Sequence, residues 1–233
     1  MHLSAALADA CALLWSGDAG LWRIIWVSLK TTILSLLLAA PPALALGYLI
    51  ASRAFPGRRA VLWLTQAALS LPTVLIGLLL YLVLSRSGVL GGWHWLFTQS
   101  GIVAGQTLIV LPVLLAFTLA ALQALDPRLA ETALTLGANQ WQVMLTVLHE
   151  ARFGVMAALI SGFGRVISEV GCAMMVGGNI AGETRTITTA IALETSKGEF
   201  AQGIALGIVL IALALLINAL LLLLQGELRT MPR

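Results

Sequence analysis

Charge is nearly absent from five blocks of the chain, about Thr31 to Ala51, Val61 to Leu84, Ile102 to Leu125, Val155 to Val176 and Gly203 to Leu224. Apolar residues follow one another there without the two-residue alternation of a half-buried strand. Each block is long enough to cross a hydrocarbon core of roughly 30 Å at about 1.5 Å per residue. Lipid offers no hydrogen bonds, so every backbone polar group needs a partner inside a helix or a closed barrel. The pattern therefore predicts an all-α, polytopic membrane protein with about five transmembrane helices (31–51, 61–84, 102–125, 155–176 and 203–224).

The segments between the blocks set the organisation. Leu3 to Trp15 is apolar but short and contains Asp9, which suits a helix lying at the interface better than one crossing it. Residues 1–24 are expected to be an extracytoplasmic or interfacial segment, 25–225 the transmembrane domain and 226–233 a short tail. Asp126 to Arg152 is too polar to span. Good helix formers, a start signal at Asp126-Pro127 and a break at Gly137 predict two short helices against the membrane face, either an amphipathic connector or a docking element. None of the loops is large enough to fold as a soluble domain.

Composition agrees with the pattern: of 233 residues, 60% are hydrophobic and 10% charged, against about 25% charged in an ordinary soluble domain. The formal charge of +3 is dispersed, so no basic stripe points to nucleic acid. Cys11 and Cys172 form no disulfide framework or metal-ligand spacing, and His2, His94 and His149 are scattered. A basic leader region is lacking at the start, so targeting is expected to fall to the first long helix.

Arginine placement orients the bundle. Arg53, Arg58, Arg59, Arg128, Arg152, Arg229 and Arg233 fall on one side, and Arg23, Arg86, Arg185 and Lys197 on the other. The richer side is expected to be cytoplasmic, which puts the C-terminus and the 126–152 segment inside and the N-terminus outside. Pro41, Pro42, Pro72 and Pro112 lie near the middles of the first three blocks, where a lost backbone bond would bend a helix and open space between neighbours. Ala116, Ala120 and Ala124, and Gly203 with Gly207, have the four-residue spacing that lets helices approach closely.

Within the polar segment, Glu131-Thr132-Ala133, then Gly137-Ala138, then Val147 resembles the EAA motif of ABC importer permeases. The resemblance implies that this stretch is a coupling helix seated in a cleft of an ATP-hydrolysing subunit. Small Ala133 and Ala138 suit a groove, and Gly137 supplies a turn that side chains disfavour. His149-Glu150 stand where the family usually has Leu-Pro. The chain lacks G-x-x-x-x-G-K-[ST], so it cannot itself cradle nucleotide phosphates.

Arg165 and Glu169 interrupt the fourth block four residues apart. An unpaired charge there would cost at least ~2.5 kcal/mol, so they are expected to pair and face the protein interior, either as a neutralised structural pair or lining a route. The run Gly164-Arg165-Val166-Ile167-Ser168-Glu169-Val170-Gly171-Cys172 resembles the signature of permeases for tetrahedral oxyanions such as molybdate, sulfate and phosphate. Its continuation through Val176-Gly177-Gly178-Asn179-Ile180, Thr184-Arg185-Thr186 and Thr188-Thr189-Ala190-Ile191 to Phe200 is similar to the tungstate-uptake permeases. Gly177, Gly178, Asn179, Thr184, Thr186 and Thr188 could offer N–H and hydroxyl donors to an anion without a charge that traps it, or could form a plain extracellular turn.

Taken together, the resemblance implies a type I importer bundle acting as a homodimer in the lipid bilayer. Two ATPase subunits would carry ATP and magnesium, so this chain holds no cofactor. An extracytoplasmic binding protein would deliver tungstate, or failing that molybdate or sulfate. The implied role is transport without covalent chemistry. A gradient-driven transporter or channel is the rival, in which Arg165 and Glu169 would be relay or filter residues. A membrane-embedded enzyme finds no nucleophile–base pair or carboxylate cluster to support it.

Overall fold

The computed structural model describes residues 12, 15, 17–126 and 128–229. The interfacial segment expected at Leu3 to Trp15 lies outside the described residues apart from Ala12 and Trp15, and Pro127 and the tail from residue 230 lie outside them as well. The described residues form helices joined by loops and one short 3-10 turn, with no strand.

Helix α1 spans Ala19–Ser52, beginning twelve residues before the expected span, because the Asp18 carboxylate accepts the Leu21 N–H at 2.8 Å and starts it there. It runs continuously across residues 24 and 25, where the N-terminal segment is expected to give way to the transmembrane domain. At its far end Arg58 folds back, its Nε donating to the Ile50 carbonyl at 2.8 Å. That satisfies one of the carbonyls a helix end leaves orphaned. Pro41 and Pro42 are accommodated inside α1.

The second expected span is two helices, α2 (Arg58–Leu69) and α3 (Thr73–Leu84), bent by 98° at the break between them. Pro72 sits at this break, immediately before α3, and not in the middle of a helix. The physical reason is that Pro restrains Leu71 away from helical geometry while its own fixed φ suits a helix start. A 3-10 turn at Gly91–Trp93 follows. Then comes α4 (Gln99–Gln123), close to the third expected span, with Pro112 inside it.

Two short helices, α5 (Arg128–Thr135) and α6 (Gln140–Glu150), fill the polar segment as expected. The fourth expected span is broken as well. Helix α7 (Arg152–Ile167) is about 24 Å long at 1.5 Å per residue, short of a hydrocarbon core. The apolar block is completed by the short helix α8 (Gly171–Gly177) beyond Ser168 to Val170. Helix α9 (Ile187–Lys197) lies between the fourth and fifth apolar blocks, and α10 (Phe200–Arg229) is the last. Three helices, α1, α4 and α10, are by themselves long and apolar enough to cross a membrane.

α1 and α4 form the centre of the bundle. Their mutual face includes Ala39, Ala43, Val110 and Leu114, and α7 adds Ala158 and Val166. The half-length helices α3 and α8 lie side by side on α4 around Leu84, Ile109, Cys172 and Val176. Gly77 makes that approach possible, since a Cβ there would stand 2.8 Å from the Cys172 Cα. On α1, Ser28, Thr31, Thr32 and Ser35 are all buried. Ser35 Oγ lies 3.1 Å from Gln106 Oε1 on α4, while Thr31 returns its hydroxyl to the Val27 carbonyl of its own helix at 2.9 Å.

Candidate coupling surface and path residues

The first group of candidate residues forms an elbow between α5 and α6. Asp126 Oδ1 accepts the Arg128 N–H at 2.9 Å and helps begin α5, which has Glu131 in its first turn. At the other end the Ala138 N–H donates to the Ala133 carbonyl at 3.1 Å and the Gly137 N–H to the Leu134 carbonyl at 2.9 Å. With Gly137 at φ +86° this is the Schellman termination, in which the left-handed residue lets the last carbonyls find donors. Two residues of the motif, Ala133 and Ala138, are thus joined directly by the turn.

Asn139 then opens α6. Its Oδ1 accepts the Gln142 N–H at 2.9 Å, and Gln142 Oε1 accepts the Asn139 N–H at 2.8 Å. This reciprocal cap fixes the second arm of the elbow. Sequence reasoning passed over it although the Asn-x-x-Gln spacing was visible. Val147 points the other way and packs with Tyr48, Leu122 and Ala151 at the ends of α1, α4 and α7. Glu131 lines a cavity of ≈ 380 Å³ together with Tyr48, Ser52, Gln123 and Asp126. No residue of α5 is buried, and the corner is apolar and open, with Leu136 83% and Trp141 64% exposed.

The second group surrounds Glu169. The sequence places Arg165 and Glu169 on one face of a continuous helix, but α7 ends at Ile167 and Glu169 lies beyond its cap. Ser168 turns its hydroxyl back onto the Gly164 carbonyl at 2.7 Å, competing with continuation of the helix. The expected pairing is nonetheless present, Arg165 Nη1 standing 3.3 Å from Glu169 Oε2, with the arginine side chain 40% exposed and the glutamate 2%. The other carboxylate oxygen accepts the Cys172 N–H at 3.0 Å, capping α8. The Glu169 main-chain carbonyl accepts the Thr188 hydroxyl at 2.6 Å. One residue therefore joins the end of α7, the start of α8 and the start of α9.

The third group follows α8. Thr184 Oγ1 donates to the Gly177 carbonyl at 2.6 Å and accepts the Ile180 N–H at 2.9 Å, closing the loop on itself. Gly178 and Asn179 both take positive φ there. Asn179 Nδ2 reaches the Thr189 carbonyl at 3.4 Å, while its Oδ1 is buried without a partner. Thr186 caps α9 reciprocally with Thr189, accepting the Thr189 N–H at 3.3 Å as Thr189 Oγ1 accepts the Thr186 N–H at 2.9 Å. Thr184, Thr186 and Thr188 are all buried, their hydroxyls engaged within the protein.

The fold thus brings Glu169 and Thr188 together, and Gly177 and Thr184, and it sets the elbow residues 131–138 apart as a separate group. Two connections went unread in the sequence. Ser28 Oγ accepts the Ile187 N–H at 2.7 Å, tying α9 to α1 across 159 residues. Lys30 Nζ donates to Gln99 Oε1 at 2.9 Å, and Gln99 Nε2 donates to the Glu183 carbonyl at 2.7 Å. The signal for the first was the polar stripe at helical spacing, Ser28, Thr31 and Ser35, within an apolar helix.

Residues 43–230 match the family described as binding-protein-dependent transport system inner membrane components. The chain is 41% identical over 201 residues to a probable anion ABC transporter permease protein of Haloferax volcanii, covering 84% of this chain and 85% of that one. It is 36% identical over 210 residues to the tungstate uptake system permease protein TupB of Campylobacter jejuni, covering 90% and 88%. The fold resembles that of a bacterial ABC transporter involved in the import of the acidic polysaccharide alginate, with a TM-score of 0.75 and 22% identity over 97% of this chain and 84% of that one. This likeness agrees with the type I importer bundle expected from the sequence. The chain belongs to the family of binding-protein-dependent transport system inner membrane components, and is a multi-pass permease of the inner membrane, a transport component and not an enzyme.

Proposed function

We propose that this permease imports an oxyanion, tungstate foremost, as a homodimer driven by separate ATPase subunits and supplied by an extracytoplasmic binding protein. The observation that carries the coupling half of this reading is the α5–α6 elbow. Its Gly137 turn leaves Leu136 and Trp141 on an open apolar corner, while Val147 anchors the opposite side to the ends of three bundle helices. Apolar side chains on a rigid, capped corner beyond the bilayer suit burial in a partner's cleft. Glu131, Thr132, Ala133, Gly137 and Ala138 make up that docking surface.

The choice of cargo rests on similarity to the tungstate permeases of Campylobacter jejuni and, at 33% identity over 226 residues, Peptoclostridium acidaminophilum. Molybdenum permeases match at 32% and 31% identity. Arg165, half-open beside buried Glu169, is a cation whose charge is only locally balanced, and it would meet a passing anion by weak contact that permits release. Gly177 to Thr188 form the frame that holds this joint, and Arg165 with Glu169 forms the gate. The N-terminus lies outside and the elbow and C-terminus lie in the cytoplasm.

The test is to purify the chain with its ATPase and measure hydrolysis on adding the binding protein loaded with tungstate, molybdate or sulfate. Stimulation is expected to be greatest with tungstate and absent without binding protein. Equal hydrolysis with and without loaded binding protein would oppose the reading.

A further inference from the structure

We propose that the groove between α1 and α4 is a seat for an anionic phospholipid, with the phosphate on Lys30 and an acyl chain lying over Leu34, Leu37 and Leu38. The groove has a volume of ≈ 370 Å³, its rim is formed by Lys30, Gln99, Ser100 and Trp95, and neither Asp nor Glu lines it. Its polar groups lie at one end and its aliphatic groups along the floor. This is the order of groups along a phospholipid.

Depth supports the assignment. Gln99 is the first residue of α4, whose 25 residues make a helix of about 37 Å, longer than a hydrocarbon core of roughly 30 Å. Its end therefore reaches the level of the lipid headgroups, and Lys30, bonded to Gln99 at 2.9 Å, is held at that level. Tryptophans mark the same boundary: the rings of Trp93 and Trp95 lie 4.6 Å apart, and Trp22 and Trp26 stand exposed on the turns of α1 just before Lys30. Trp is enriched where its ring can sit between chain and headgroup. In the two turns past Lys30 the exposed residues of α1 are Ile33, Leu34, Leu37 and Leu38, all aliphatic.

Charge selects the occupant. An ammonium has three donors, and Gln99 uses one of Lys30's. No carboxylate lies within salt-bridge distance of Lys30 among the described residues. A phosphate bearing a net negative charge completes its coordination, which a neutral zwitterionic lipid does less well.

The experiment compares retention of phosphatidylglycerol and phosphatidylcholine with identical acyl chains by the full-length chain, read by mass spectrometry of the intact protein. Wild type is expected to hold phosphatidylglycerol in preference, Lys30→Arg to keep the preference, and Lys30→Gln to lower it about fivefold, the weight of one basic residue at an anionic surface. Leu37→Trp fills the floor, leaves the charge in place and is expected to reduce retention of both lipids. This second variant decides the matter if Lys30→Gln fails to fold. An unchanged lipid preference in Lys30→Gln, or unchanged retention in Leu37→Trp, overturns the proposal. So does disulfide formation between two copies at Leu37→Cys in a background lacking Cys11 and Cys172, which would show that a second copy covers the groove.

Discussion

The Thr188 hydroxyl donates a hydrogen bond to the main-chain carbonyl of Glu169 at 2.6 Å, and this bond ties the start of α9 to the break between α7 and α8. The break leaves backbone groups without helical partners in a buried place, where each unsatisfied group is costly. Replacing Thr188 by Val keeps the shape and removes the donor. Loss of one buried hydrogen bond is expected to lower stability by about 1–3 kcal/mol, read as a lower midpoint of thermal unfolding in detergent. Thr188→Ser, which keeps the donor, is expected to lose less. An unchanged midpoint in Thr188→Val would show that the bond contributes nothing.

Glu169 serves two partners with its side chain, Arg165 at 3.3 Å and the Cys172 N–H at 3.0 Å. Glu169→Gln can still cap α8 but leaves the arginine without a counter-charge. Because Arg165 is 40% exposed, its stranding is expected to cost at the low end for an interior pair, about 1–3 kcal/mol. Folded protein recovered from membranes should fall in Glu169→Gln and return in part in Arg165→Gln/Glu169→Gln. Normal yield of Glu169→Gln with lost uptake would instead assign the pair to the path alone.

At Gly77 the prediction concerns packing. A methyl group there meets main chain, 2.8 Å from the Cys172 Cα, and not the flexible end of a side chain. Gly77→Ala is expected to push α3 from α8 and destabilise by about 1–3 kcal/mol. Thermal unfolding measures it directly, and a midpoint equal to wild type would mean that the two half-helices separate at no cost.

Much of this architecture was legible because lipid makes hydrophobicity nearly decisive. The blocks at 102–125 and 203–224 mark α4 and the core of α10, and Gly137 between two polar helices marks the elbow. Breaks inside apolar blocks were not legible in the same way. Thr73–Leu84 and Gly171–Gly177 are as apolar as any spanning segment, and hydrophobicity has no term for direction. Pro72 held the missing information, since proline at a helix start and proline in a helix interior differ only in what precedes them. Glu169 was read as a member of a helical pair, whereas its carboxylate caps the next helix. The partners of Ser28 and Gln99 come from α9 and the loop before it, contacts that no local pattern contains.

Gly137→Leu tests the elbow as a coupling device. Its φ of +86° excludes a branched side chain without strain, although open space surrounds the position. The local cost is about 1 kcal/mol or more, borne outside the bundle. The variant is expected to fold in the membrane while losing ATPase attachment, or keeping attachment and losing stimulation by loaded binding protein. Wild-type attachment and stimulation together would remove the elbow from the coupling route.

Orientation can be read with reporters. A fusion near Asn139 or after Arg233 is expected to report the cytoplasm, and one within residues 183–197 the exterior, as the distribution of arginines directs. A cytoplasmic signal from residues 183–197 would reverse the bundle.

The most direct measurement is uptake of tungstate by sealed vesicles containing this permease, its ATPase and its binding protein, with ATP on the ATPase side and molybdate and sulfate as competitors. The account predicts accumulation that requires ATP and binding protein, is abolished by Gly137→Leu, and yields to excess molybdate more readily than to sulfate. Tungstate accumulation that persists without ATP and follows an imposed ion gradient would contradict it.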